Sequence, residues 1–159
     1  MAKYRMTDDV IVTCERVLHR IEALVDIQRF GVKAGDLGGY IEREENLSHD
    51  GNAWIGGDAQ VYGDAWVCGD AQIRRNGKIE SIKDYCVFGP CGSRDDFTTF
   101  YKTETGIWVS CGCFNGSIEK FRDKAEETHG DNKHGRIYKC LAELASMKLG
   151  GGDGNGSCD

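Results

Sequence analysis

With 159 residues the chain is long enough for one compact domain or two small ones, and its net charge of −6 argues against direct binding to a nucleic-acid backbone. The segment from Met1 to Asp9 lacks an apolar core of signal-peptide length, and no later run approaches a membrane span, so a cytoplasmic protein without membrane contact is expected. Eight cysteines would be many for that compartment if all were paired; they read as thiols, and neither a metal nor a cofactor is expected.

Residues 1–40 read as an N-terminal β cap. Val17 to Val25 alternates loosely between apolar and polar, with a helix over 15–26 as the competing reading, and Lys33 to Ile41 carries dense turn signals. Residues 41–80 hold an internal repeat, in which Ile55, Val61, Val67, Ile73 and Ile79 recur every six residues. The first four units open on Gly-Asn or Gly-Asp followed by Ala, and a degraded fifth runs from Arg75 to Glu80. In extended chain the Ala and the aliphatic two residues later share a face, so both point inward while Trp54, Gln60, Trp66 and Gln72 point outward. Glycine reaches positive φ at low cost and the Asx side chain bonds to nearby backbone, so the chain bends once per unit. The six-residue step already links Ile41 to Leu47, before a shift of two residues brings the phase to Ile55.

Hexapeptide periodicity is a signature of the parallel β-helix, and this run resembles the left-handed, triangular form seen in bacterial hexapeptide-repeat transferases. The resemblance implies a short left-handed parallel β-helix of about two coils, with three units to a coil and every third unit in a stack. Asn52 would then lie above Asp70, and Asp58 above Asn76. So short a solenoid has open ends, to be covered by residues 1–40 on one side and by the chain beyond Ile79 on the other.

Residues 81–148 read as an α+β domain of ββαα type. Asp84 to Phe88 suits a strand, Gly89 to Ser93 a turn, and Phe97 to Lys102 with Ile107 to Cys113 a hairpin. Ser117 is a good N-cap for a helix through Thr128 with Ile118, Phe121 and Ala125 as its apolar residues. Asn132 opens a second helix with Ile137, Leu141, Leu144 and Ala145 on one face. The Gly-rich residues 149–159 read as a disordered tail.

The stretch Lys33 to Glu42, with Glu45-Asn46-Leu47 and the six-residue units behind it, resembles repeat proteins encoded by bacteriophages and prophages. Gly92-Ser93-Arg94, Gly112-Cys113-Phe114-Asn115-Gly116 and Thr128-His129-Gly130-Asp131-Asn132 resemble a small domain that travels with such repeats. The resemblance implies phage ancestry and action inside a bacterial host cell, without a settled activity. The expectation is an oligomeric accessory binding protein, used in counter-defence to inhibit a host immune protein or to sequester a nucleotide-type signal. The alternative from another class is a hexapeptide-repeat acyltransferase with His49 as general base.

Candidate site residues follow from loops and exposed aromatics. Arg94 and His129 sit beside turn glycines where a loop can present them, and Ser93, Thr98 and Cys113 complete a candidate pocket for a small anionic ligand. Arg94 has Asp95 and Asp96 as competing partners, and a Cys113/His129 nucleophilic pair lacks a third, orienting group. Cys86, Cys91, Cys111, Cys113, His129 and His134 are zinc-ligand types, but the Cys-x4-Cys and Cys-x-Cys spacings differ from the usual knuckles. Trp54, Tyr62 and Trp66 are expected to project outward as interface candidates, the alternative being contact with the chain's own C-terminal domain. Trp54 and Trp66, 12 residues apart, fall on different faces of a triangular coil, so an intersubunit contact is expected for at least one, most naturally in a trimer.

Overall fold

The computed structural model of the chain describes residues 2–150. Strands β1 (Tyr4–Thr13) and β2 (Arg16–Ala23) form an antiparallel hairpin, and β3 (Leu37–Ile41) pairs antiparallel with β2. The expected alternative of a helix over 15–26 is therefore excluded; Leu18 and Ile21 are fully buried in a strand. Four strands of two residues follow from the repeat: β4 (Trp54–Ile55), β5 (Gln60–Val61), β6 (Gln72–Ile73) and β7 (Lys78–Ile79).

These strands do not build the expected left-handed β-helix. They are distributed over a five-stranded mixed sheet, ordered β1-β2-β3-β5-β7, and a two-stranded sheet of β4 and β6. The physical reason lies at β3, which pairs antiparallel with β2 on one side and parallel with β5 on the other. The N-terminal segment thus extends the repeat sideways through hydrogen bonds instead of capping the end of a separate solenoid.

Locally the period does what its chemistry requires. Ala53, Ala59, Ala65 and Ala71 are at most 2% exposed, and Ile55, Val61, Val67, Ile73 and Ile79 are fully buried. Gly51, Gly57, Gly63 and Gly69 all have φ between 59° and 73°, and Asn76 adopts the same region in the degraded unit. Parallel partners stand three units apart, Ile55 with Ile73 and Val61 with Ile79. Asn52 Nδ2 donates to Asp70 Oδ1 at 3.0 Å, and Asp58 Oδ1 accepts from the Asn76 amide at 2.9 Å.

Upstream the parallel step is longer by two residues, pairing Ile41 with Val61 and Leu47 with Val67. The two extra residues fall between Leu47 and Ile55, where the sequence shifts phase. Asn46, fully buried, holds the chain just before this step: its Oδ1 accepts from the amides of Glu42 and Arg43, and its Nδ2 donates to the carbonyls of Gly63 and Ala65. All four of its hydrogen-bonding positions are used, the condition under which a buried amide is stable.

The C-terminal part is a four-stranded antiparallel sheet, β8 (Tyr85–Cys91), β9 (Asp96–Lys102), β10 (Ile107–Cys111) and β11 (Phe114–Ser117), followed by α1 (Ile118–His129) and α2 (Lys133–Leu149). Strand β11 was not expected, because Gly112 at φ 59° ends β10 and turns the chain back sooner than the apolar pattern implies. Cys113 accordingly sits in the turn and does not share a strand face with Cys111. Ser117 and Asn132 cap the helices by accepting from the amides of Lys120 and Gly135.

The buried face of α2 is Gly135, Tyr138, Ala142, Ala145 and Leu149, whereas Leu144 is 48% exposed. The expected face is thus rotated, and Leu149, expected in a tail, is a buried helix end. Residues 151–159 of that tail lie outside the described residues.

Both faces of the C-terminal sheet are covered, and β9 shows how. Phe100 points to the helices with Val109, Ile118 and Phe121, while Tyr101 points to the repeat. Tyr101 OH donates to Arg75 O at 2.9 Å, Thr99 Oγ1 accepts from the Gln72 amide at 3.0 Å, and Tyr85 OH donates to Trp66 O at 2.7 Å. Lys78 with Glu104 adds an ion pair across the same seam, and Arg29 of the N-terminal segment pairs with Asp96 beside it.

Candidate functional site

The helix-facing side of the C-terminal sheet encloses a pocket of about 190 Å³. Its floor is Cys91 of β8, Thr98 of β9 and Cys111 of β10; one wall is Phe121, Ala125 and the end of α1, and Tyr138 of α2 closes the back. The rim comes from two loops, Ser93-Arg94 and Gly112-Cys113, which turn tightly because Gly92 and Gly112 take positive φ.

All five residues expected as ligand-binding, Ser93, Arg94, Thr98, Cys113 and His129, line this one pocket. Their settings differ. Arg94 is exposed and has no carboxylate within ion-pair distance among the described residues, because Asp96 is taken by Arg29. The Thr98 hydroxyl donates to Cys111 Sγ at 3.4 Å and is buried, which makes it a support for the floor. The Ser93 amide donates to Tyr138 OH at 3.4 Å, tying the rim to α2. Burial pushes the Cys111 and Cys91 thiols and the Tyr138 hydroxyl above their ordinary ranges, so these groups are neutral at pH 7.

Aromatic packing shapes the cavity. Phe121 meets Phe100 and Tyr138 edge to face at ring separations of 5.6 Å, and His129 lies tilted against Tyr138 at the same distance. Cys91, Cys111, Phe121, Lys124 and Tyr138 also line the pocket and were missed; each depends on how α1 and α2 dock on the sheet. Only the i, i+4 spacing of Phe121 and Ala125, with Lys124 and Thr128 beside them, offered a signal for the helix wall.

No hydrogen bond joins Cys113 to His129 among the described residues, and no third side chain orients the pair. Nor do any three His, Cys, Asp or Glu side chains among the described residues gather as a metal site would require. Cys14, Cys68, Cys86, Cys91, Cys111, Cys113 and Cys140 are all free thiols.

His49 lies elsewhere, in the two-residue expansion of the repeat. Its ring stacks on Tyr4 at 4.1 Å, Nδ1 accepts from the Lys3 amide at 3.1 Å, and Nε2 bonds Glu44 Oε1 at 3.0 Å. With both nitrogens engaged, it fastens the N-terminal strand to the repeat and has no free lone pair for a substrate proton.

Of the three residues expected at an interface, two are covered by the chain itself. Trp54 is 4% exposed beneath β3: a Cβ on Gly38 would sit 2.7 Å from Trp54 Cζ2, so only glycine lets the strand pass over the indole. Tyr62 is 6% exposed, with the Arg16 guanidinium 5.3 Å above its ring centre. Outward from the repeat is therefore inward to the protein at both positions. Trp66 alone is open, at 50% exposure. Among the described residues no helix is long and apolar enough to cross a membrane. No family model matches the chain, and no curated protein matches it.

Proposed function

We propose that this chain is an accessory binding protein of phage or prophage origin that captures a small anionic ligand in the pocket behind Arg94. One observation carries the reading: the three segments on which the family resemblance rests in the C-terminal half each contribute to the same cavity. These are Ser93-Arg94, Gly112-Cys113-Phe114 and Thr128-His129. Segments far apart in sequence that converge on one concave, largely apolar pocket with an unpaired guanidinium at its mouth have the makings of a ligand site. In an infected bacterium the use we assign is counter-defence, the capture of a small signal on which a host immune enzyme depends.

Self-association through the face carrying Trp66 belongs to the same proposal, since one aromatic left half open beside a covered repeat is a natural contact for a second copy. Light scattering of wild type and Trp66→Lys at low micromolar concentration reads it directly, with a lower mass expected for the variant. For the ligand, native mass spectrometry of protein purified from bacterial cytoplasm should release a small anion on denaturation. Arg94→Gln should carry much less of it at unchanged melting temperature. Equal ligand loading of the two proteins, or none in either, would refute capture at this pocket.

A further inference from the structure

We propose that the pocket and the polar recess beside it form a single two-part site for a heteroaromatic ring bearing a phosphate, with the ring in the pocket and the phosphate between Arg94 and Arg74. The inference rests on the ligand-capture reading and names the ligand class. The recess, of about 380 Å³, lies at the seam between the repeat and the C-terminal sheet and shares Arg94, Asp96, Gly112 and Cys113 with the pocket. A ligand can therefore run from one into the other past the Arg94 guanidinium.

The ring half follows from size and walls. A cavity near 190 Å³ is somewhat larger than the roughly 150 Å³ void that takes a benzene molecule, which fits one ring or two fused ones. Phe114, Phe121, Tyr138 and His129 with the sulfurs of Cys111 and Cys113 give it flat, polarizable walls that favour aromatic guests.

The phosphate half follows from charge. Arg29, Arg74 and Arg94 line the recess against two carboxylates, Asp70 and Asp96. Arg29 contacts both of those carboxylates. Arg74 and Arg94 are left without an acidic partner among the described residues, in a chain whose net charge is −6. Two guanidinium forks need more acceptor oxygens than one carboxylate offers, and a phosphate supplies them. A locally positive recess in an acidic protein also concentrates anions where they bind.

The test is calorimetric titration at low ionic strength with each ribonucleoside 5′-monophosphate, its matched nucleoside, and inorganic phosphate. At least one monophosphate should bind wild type about tenfold or more tightly than its nucleoside, as expected for charge-assisted hydrogen bonds, and more tightly than inorganic phosphate. Arg74→Gln, which alters the recess and leaves the pocket lining intact, should erase that advantage without changing nucleoside affinity. Equal binding of monophosphate and nucleoside to wild type overturns the phosphate seat while capture in the pocket stands. Inorganic phosphate binding as tightly as every monophosphate overturns the ring seat. Absence of heat with all probes overturns the two-part site, and the mass of any co-purified ligand then decides separately whether the pocket captures something else.

Discussion

The repeat and the C-terminal half are both well buried, but they are packed by different rules. In the repeat, Ala and a branched aliphatic alternate with a strict period, and each layer meets a copy of itself three units on. Identical layers of small residues tile without gaps, and none of the cavities described above is lined by Ile55, Val61, Val67, Ile73 or Ile79. In the C-terminal half, Phe88, Phe100, Phe114, Phe121 and Tyr138 meet edge-on or tilted. Rings at large angles leave space between their edges. The regular region supplies a close-packed support and the irregular one supplies the apolar pocket, a division that four substitutions or titrations can break or sharpen.

The largest effect belongs to Val67→Asp. Val67 is fully buried, and an unpaired carboxylate there should cost several kcal/mol, enough to prevent folding; a soluble variant with native circular dichroism would contradict the layer assignment. Phe121→Ala comes next, at about 3–5 kcal/mol from urea titration. Because β9 gives Phe100 to one core and Tyr101 to the other, helix signal and Trp54 fluorescence, the latter read in a background with Trp66 and Trp108 replaced by Phe, should be lost in a single transition. Two separate transitions would show that the cores are independent.

A smaller effect marks the junction of N-terminal strand and repeat. Lys3 is buried, its ammonium donates to Ala53 O at 2.7 Å, and burial lowers its pKa to about 8 against a partial rise from Asp50. Between that value and the unfolded value of 10.5 the unfolded chain holds a proton that the folded chain has released. Stability contributed by this group should therefore rise with pH across the window. Denaturation of wild type and Lys3→Met from pH 7 to pH 10 isolates it as a pH-dependent difference; parallel curves would mean that Lys3 is not desolvated. Last is Gln60→Leu on β5. Gln60 Oε1 is buried with no partner among the described residues, so its removal should raise stability by about 1 kcal/mol.

Gln60 also shows where reading from sequence stops. Its outward direction from the repeat was legible from period alone, as were the buried Ala and aliphatic positions, because a constant step leaves one solution for the inward face. What lies outside that face was not legible. Whether Trp54 and Tyr62 meet water depends on β3 and on Arg16, brought over them by pairings between segments far apart in the chain. The same limit explains why a capped solenoid was expected where β5 and β7 join the N-terminal strands in a mixed sheet and β4 and β6 pair apart from it.

In the candidate site, Ser93, Arg94, Cys113 and His129 were legible because each adjoins or closely follows a glycine-marked turn. Cys111, Phe121 and Tyr138 were not, since the face of α2 that docks on the sheet is set by Tyr138, Ala142 and Ala145 and not by the more apolar Leu144. Helix rotation against a sheet is a tertiary choice, to which a pattern of leucines is a weak guide.

The lengthened parallel step upstream of Ile55 bears on how such a chain can be altered. The two surplus residues are absorbed at a corner, Ser48 to Asp50, and the layers on either side keep their inward faces, Leu47 beneath Val67 and Ile55 beneath Ile73. A corner of the repeat thus accommodates added length without disturbing the layers, whereas a single residue added within a two-residue strand would exchange its faces. Loops grafted at Asp64 or Asn76, where the corner side chains are exposed, should be carried as cargo by an otherwise unchanged scaffold.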